Sequence, residues 1–141
     1  MNSLSSFHIA IPVNDIETTR RFYTEIIGCT VGREAERWID FNFFGHQVSA
    51  HLKPEATETI PVNPVDGKDV PVRHFGLVLE WHAWHAFVEQ LNKKSVEYLI
   101  NPTVRFKGQV GEQATFFITD PSGNALEFKS FKDMKQLFAA S

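Results

Sequence analysis

Apolar residues along the chain alternate with polar ones, then fall at helical spacing, then alternate again, and this order occurs twice. Residues 7–13 read as a strand that ends at Pro12. Asn14, with Glu17 three residues on, has the form of a capping box. It predicts a helix with Ile16, Phe22, Tyr23, Ile26 and Ile27 on its apolar side. Gly28 stands where a left-handed helix end falls. Strand patterns follow at 29–31, 38–44 and 47–53, with Gly45 as a turn. Trp38, Asp40 and Asn42 alternate with Ile39, Phe41 and Phe43. On the next strand Gln47, Ser49 and His51 share one face, and Val48, Ala50 and Leu52 share the other.

The pattern is lost over 54–71, where Pro54, Pro61, Pro64, Pro71 and Gly67 predict a Pro-rich linker or a long surface loop. Loops of that length inside a domain are often functional. The order then restarts. Residues 72–81 read as a strand with His74 near its beginning. A helix over 82–94 has Trp84, Phe87, Val88 and Leu91 at i, i+3, i+4 and i+7. Strands at 96–100 and 114–119, a turn at 120–124, a strand at 125–131 and a short helix at 132–140 complete it. The reading is an α+β fold: tandem βαβββ modules at 1–53 and 72–141, in one structural domain. Each is too small for a good core alone, so they are expected to pack together with their mixed sheets forming a curved cleft.

Composition narrows the classes. The 141 residues carry 14 Lys+Arg and 17 Asp+Glu, a net charge of −3, which argues against nucleic acid as a partner. One cysteine, Cys29, excludes a disulfide framework and a Cys-rich zinc site. No apolar run is long enough to span a bilayer, and no basic residue precedes Arg20, so neither a membrane span nor a signal peptide is expected. The expected setting is cytoplasmic, with a small molecule as partner.

The six histidines carry the chemistry. His8 and His74 open the two modules, while His51 and Glu127 lie on each module's last strand. A lone strand histidine is ordinarily a packing residue. His8, His74 and Glu127 at matched points of a duplicated unit suit one divalent metal in a shared cavity. Imidazole and carboxylate on one side, with open positions opposite, is the facial arrangement of non-haem Fe(II) oxygenases; Zn, Ni, Mn and Co accept the same donors. Glu127, flanked by Leu126 and Phe128, needs a cation or hydrogen bonds if buried. His82 and His85 read as an exposed helix face, His46 as a surface hydrogen-bonding residue and Cys29 as a small core residue. Most phenylalanines read as core, with Phe41, Phe43 and Phe117 as candidates to line an apolar cavity. Arg105, Lys107, Glu112 and Gln113 lie in a polar, Gly-containing stretch that reads as a solvated loop or as a lid at the cavity mouth. Arg105 and Gln113 are its candidate substrate-binding residues, Arg105 suiting a carboxylate.

Residues 7–13, the Arg21-Phe22-Tyr23 helix ending at Ile26-Ile27-Gly28-Cys29, His74-Phe75-Gly76-Leu77 and Asp120-Pro121-Ser122-Gly123-Asn124-Ala125-Leu126-Glu127 resemble the vicinal oxygen chelate superfamily. Glyoxalase I, extradiol catechol dioxygenases, fosfomycin-resistance enzymes and bleomycin-binding proteins belong to it. The resemblance implies that His8, His74 and Glu127 are metal ligands. It places His51 where glyoxalase I has a glutamate ligand, so the set looks more like the Fe(II) triad of compact extradiol dioxygenases. His51 is then a fourth ligand or the catalytic acid–base, two roles the sequence leaves open. The implied function is dioxygenase-like oxidation of an aromatic diol with Fe(II) favoured. The alternatives are a glyoxalase I-like lyase or isomerase and a metal-free drug-binding protein. A homodimer is the implied assembly.

Overall fold

The computed structural model describes residues 4–57, 61–65 and 67–140. It divides into two units, Met1–Ile60 with Asp120–Asn124, and Pro61–Thr119 with Ala125–Ser141. The turn 120–124, expected in the second module, therefore belongs to the first unit.

The first unit runs β1 (His8–Val13), α1 (Ile16–Arg21), a wide π turn (Phe22–Ile27), β2 (Thr30–Ala35), β3 (Trp38–Phe43) and β4 (His46–Leu52). The sheet order is β1-β4-β3-β2, with β1 parallel to β4 and the other pairs antiparallel. The helix cap is Asp15 and not Asn14: its carboxylate accepts from the Thr18 amide at 2.7 Å, while the Asn14 amide donates to Ser122 Oγ at 2.9 Å. Gly28 does end the helical stretch in the left-handed region, at φ 98°.

Period-two alternation turns Ile39, Phe41, Phe43, Val48 and Ala50 inward, all buried with Tyr23 and Ile27. The Tyr23 ring stacks on Phe41 with centroids 4.9 Å apart. Its hydroxyl donates to Asp120 at 2.8 Å, and the same carboxylate accepts from the amides of Ser122 and Asn124 and from Asn124 Nδ2. Asn124 Nδ2 also donates to the Pro12 carbonyl. Burial raises the Asp120 carboxyl above its usual range against these bonds, and burial beside Asp120 raises the Tyr23 phenol well above its own. Removing one donor from a buried acceptor costs roughly 1–3 kcal/mol. Tyr23→Phe should lower the urea midpoint accordingly; an unchanged midpoint would show that the phenol contributes nothing.

The second unit begins with a two-stranded ribbon, β5 (Val62–Val65) and β6 (Lys68–Pro71). Then come β7 (Phe75–Val78), α2 (Trp81–Lys93), β8 (Ile100–Arg105), β9 (Gln113–Thr119) and β10 (Ala125–Phe131). The closing segment Met134–Phe138 is a short 3₁₀ helix, inside the helix expected over 132–140. The main sheet has the order β7-β10-β9-β8, with β7 parallel to β10, so the duplicated βαβββ plan is present. The stretch expected as a linker or loop instead holds a 3₁₀ turn at Pro54–Ala56 and the β5–β6 hairpin. Pro64 and Pro71 are tolerated because each strand of a two-stranded ribbon is an edge.

Trp84 and Leu91 of α2 are buried, as are Phe116, Ile118, Leu126 and Phe128 of the sheet. Trp84 Nε1 donates to the Phe128 carbonyl at 2.8 Å. His82 and His85 lie exposed on α2. Cys29 is buried in the first unit, which pushes its thiol up to about 12 and keeps it from acting as a nucleophile. No helix among the described residues is long and apolar enough to cross a membrane.

Candidate functional site

In the second unit, β7 and β10 bring His74 and Glu127 together. The parallel register sets Gly76 beside Glu127, with His74 two residues earlier on the same chain side. His74 Nε2 lies 3.4 Å from Glu127 Oε1, and the side chains are 30% and 18% exposed. His74 Nδ1 is 2.6 Å from the Pro71 carbonyl. A carbonyl only accepts, so Nδ1 carries the proton and Nε2 of the neutral ring presents a lone pair. Thr115 Oγ1 donates to Glu127 Oε2 at 2.5 Å, which leaves Oε1 as the oxygen facing Nε2. Phe117 packs edge-on against the imidazole at 5.0 Å. In the neutral ring Nε2 and Oε1 are two lone-pair donors facing each other, an arrangement that a cation satisfies, a proton or a metal ion alike. A ligand histidine whose other nitrogen donates to a carbonyl is the usual support for a bound metal. The donor chemistry fits a divalent ion of the Fe(II), Zn, Ni, Mn and Co group. Within neither unit do three His, Cys, Asp or Glu side chains gather as a complete cluster among the described residues.

His74 and Glu127 open on a cavity of about 440 Å³. Ile100, Thr103, Arg105, Thr115 and Phe117 line it from the main sheet, and Val65, Lys68 and Val70 from the ribbon. Arg105 and Phe117, two of the candidates from the sequence, are among these lining residues. Gln113 is not among the lining residues, and its amide donates to the Gly111 carbonyl. Glu112 is buried and accepts from the Gly108 amide, tying down the turn after β8.

In the first unit the register separates the histidines. His8 pairs with Gln47 and His51 pairs with Pro12. The two imidazoles share a face but stand four residues apart along the strands, about 13 Å. Upright side chains at that spacing do not meet at one ion with bonds of about 2.1 Å, so the structure does not bring His8 and His51 together as a ligand pair. The relation of Glu127 to His74 also has a counterpart here: Leu126 pairs with Phe75, so Glu127 lies two residues beyond the position opposite His74. Two residues beyond Gln47 is Ser49, not His51. Ser49 Oγ donates to Asp40 Oδ1 at 2.6 Å, and Gln47 Nε2 donates to Asp40 Oδ2 at 3.1 Å. Phe41 and Phe43, proposed as cavity residues, are 1% and 2% exposed, because alternation points them at the core.

A family model described as the Glyoxalase/Bleomycin resistance protein/Dioxygenase superfamily matches residues 5–128. The chain belongs to that superfamily. A glyoxalase/bleomycin resistance protein/dioxygenase from Alicyclobacillus acidocaldarius is similar at 28% identity and a TM-score of 0.78, over 98% of this chain and 100% of that one. Lactoylglutathione lyase from Agrobacterium tumefaciens has the same fold at 12% identity and a TM-score of 0.65, over 99% of each chain. So does a genomically encoded fosfomycin resistance protein from Listeria monocytogenes, at 14% identity and a TM-score of 0.63, over 97% of this chain and 99% of that one. Among curated proteins none matches the chain.

For a chain of this superfamily, three residues of the site carried no signal in the sequence. Thr115 sat in an apolar strand, Lys68 in the presumed linker, and Pro71 reaches His74 through its carbonyl alone. Asp40 was visible as part of a polar alternation, and its partners Gln47 and Ser49 were visible on their own strand.

Proposed function

We propose that the protein is a divalent-metal-dependent enzyme that acts on a small molecule with two adjacent oxygens, and that its reaction is an extradiol-dioxygenase-like oxidation of an aromatic diol. The paired lone-pair donors His74 Nε2 and Glu127 Oε1 carry the metal reading. His8 is a metal-binding residue by the superfamily resemblance alone. A divalent ion supplies Lewis acidity toward the adjacent oxygens, and Fe(II) adds reactivity toward O₂. The Pro71 carbonyl holds His74 in the tautomer that offers Nε2. Thr115 holds the Glu127 carboxylate, and Phe117 limits rotation of the imidazole. The apolar walls at Val65, Val70 and Ile100 suit an aromatic body.

His51, standing where the resemblance sets the glutamate ligand of glyoxalase I, supports the dioxygenase reading over the glyoxalase one. The shared fold with lactoylglutathione lyase keeps a lyase as the second reading. Superfamily members commonly form dimers, and a homodimer is proposed here. Protein purified without added metal should contain a stoichiometric divalent ion by mass spectrometry, and His8→Ala should lower that content. Absence of uptake in every preparation would sink the metal reading. Oxygen consumption with catechols supports the first reaction; silence there with turnover of a hemithioacetal supports the second.

A further inference from the structure

We propose that the substrate of the second-unit cavity is a ring that carries an apolar side chain, and that Val65 and Val70 of the β5–β6 ribbon select for that side chain. The inference rests on the reading of this cavity as the substrate pocket, and it specifies the class of substrate. The strand register gives the cavity its length. Glu127, Phe117 and Ile100 stand side by side across β10, β9 and β8, and Thr115 and Thr103 form the next row. Arg105 lies one row beyond, opposite Gln113. All of these but Gln113 line the cavity. From Phe117 to Gln113 is four residues, about 13 Å of strand. A bare ring held at His74 and Glu127 is shorter than that. The volume of about 440 Å³ is likewise that of a larger ligand, a ring with a substituent directed away from the His74 end.

The polar groups along that length are already engaged, which sets the chemistry of the substituent. Thr115 Oγ1 donates to Glu127, and Thr103 Oγ1 donates to the Asn101 carbonyl. Arg105 is engaged within the protein, its guanidinium lying 4.8 Å from the Phe106 ring centroid. Lys68 is exposed, where water serves its ammonium. The walls left to a ligand are apolar: Ile100 on the sheet, and Val65 and Val70 on the ribbon. The pairs Asn63–Val70 and Val65–Lys68 set these four residues on one face of the ribbon, the face that lines the cavity, while Val62 lies on the other face. Val70 adjoins Pro71, whose carbonyl holds His74. The Val65–Lys68 pair stands two residues further along the ribbon, about 7 Å. Val65 is 43% exposed and Val70 half-buried, so both keep apolar surface that a ligand would cover.

The test titrates 4-alkylphenols, from phenol to 4-butylphenol, calorimetrically into the full chain with divalent ions chelated. Each added CH₂ should tighten binding about fourfold, the gain of transferring one methylene out of water. In the Val65→Thr, Val70→Thr double variant, which keeps side-chain shape, the gain per CH₂ should fall below about twofold. Val62→Thr, on the outer face, should leave it at the wild-type value. A series without gain in the wild type, a gain that survives in the double variant, an equal loss in Val62→Thr, or no binding of any phenol at millimolar concentration would overturn the proposal. If the double variant does not fold, Val65→Leu, Val70→Leu decides. Filling the ribbon side should shorten the longest chain that still adds affinity; an unchanged limit overturns the proposal. These phenols have a single hydroxyl, and the measurement needs no ion. Failure of the metal-dependent reaction therefore leaves this result standing, and turnover of diols with no selectivity for an apolar side chain refutes this inference alone.

Discussion

Gly76→Ala should cost at least about 3 kcal/mol of stability, the largest loss expected from adding a single methyl group to this protein. A Cβ built on Gly76 falls 1.6 Å from the Glu127 carbonyl oxygen and 2.6 Å from its carbonyl carbon. Both obstructing atoms are backbone, so no rotamer change relieves the overlap. Strands β7 and β10 must move apart, and the parallel ladder between them loses its hydrogen bonds. Glycine inside a strand is otherwise a weak choice, and close approach of another backbone is the reason for it here. The strain lands on the site as well, since β7 follows His74 and β10 carries Glu127. Urea denaturation measures the loss directly. A midpoint equal to that of the wild type would mean that residues 76 and 127 are not in register.

Glu127→Gln should separate metal binding from folding. Loss of the anionic ligand should weaken zinc affinity about hundredfold or more, beyond the 10–100-fold typical of losing a supporting group. Stability without metal should change by less than about 1 kcal/mol, because the amide suits both neighbours. Its oxygen can accept from Thr115 Oγ1, and its NH₂ can donate to the lone pair on His74 Nε2. The substitution thus replaces two facing acceptors with a complementary pair. Competitive titration of zinc against a chromophoric chelator, beside urea melts of the metal-free proteins, reads both quantities. Undiminished zinc affinity would remove Glu127 from the ligand set. A large stability loss with unchanged affinity would make the carboxylate a folding element instead.

Most of the strand and helix plan was legible because each module buries one face of each element. Alternation across Ile39, Phe41 and Phe43, and helical spacing across Trp84, Phe87, Val88 and Leu91, follow from that one-sided burial. The same alternation already placed Phe41 and Phe43 with Ile39, and reading them as cavity residues set that aside. The β5–β6 ribbon was hidden by its prolines, which an edge strand accepts at no cost in ladder bonds. With His8 taken to answer to His74, the register sets Ser49 and not His51 against Glu127. A shift of two keeps the face unchanged, so the polar alternation of Gln47, Ser49 and His51 fits either pairing. Only the non-local contact of β1 with β4 decides it. His74 and Glu127 were visible because each is a chemically marked residue on its strand. Their supports were not, because a threonine hydroxyl and a proline carbonyl leave no pattern.

The ribbon of β5 and β6 forms a sheet of its own, with no third strand among the described residues. Isolated two-stranded ribbons are marginal in water, so its amides should rank among the fastest to exchange with solvent deuterium in this unit. One wall of the cavity is therefore soft, while the wall built by β8, β9 and β10 is stiff. Variation in ribbon length and composition can reshape what enters the cavity without disturbing the strands that carry His74 and Glu127. That division of labour gives a single scaffold room to diversify its ligands at little thermodynamic risk.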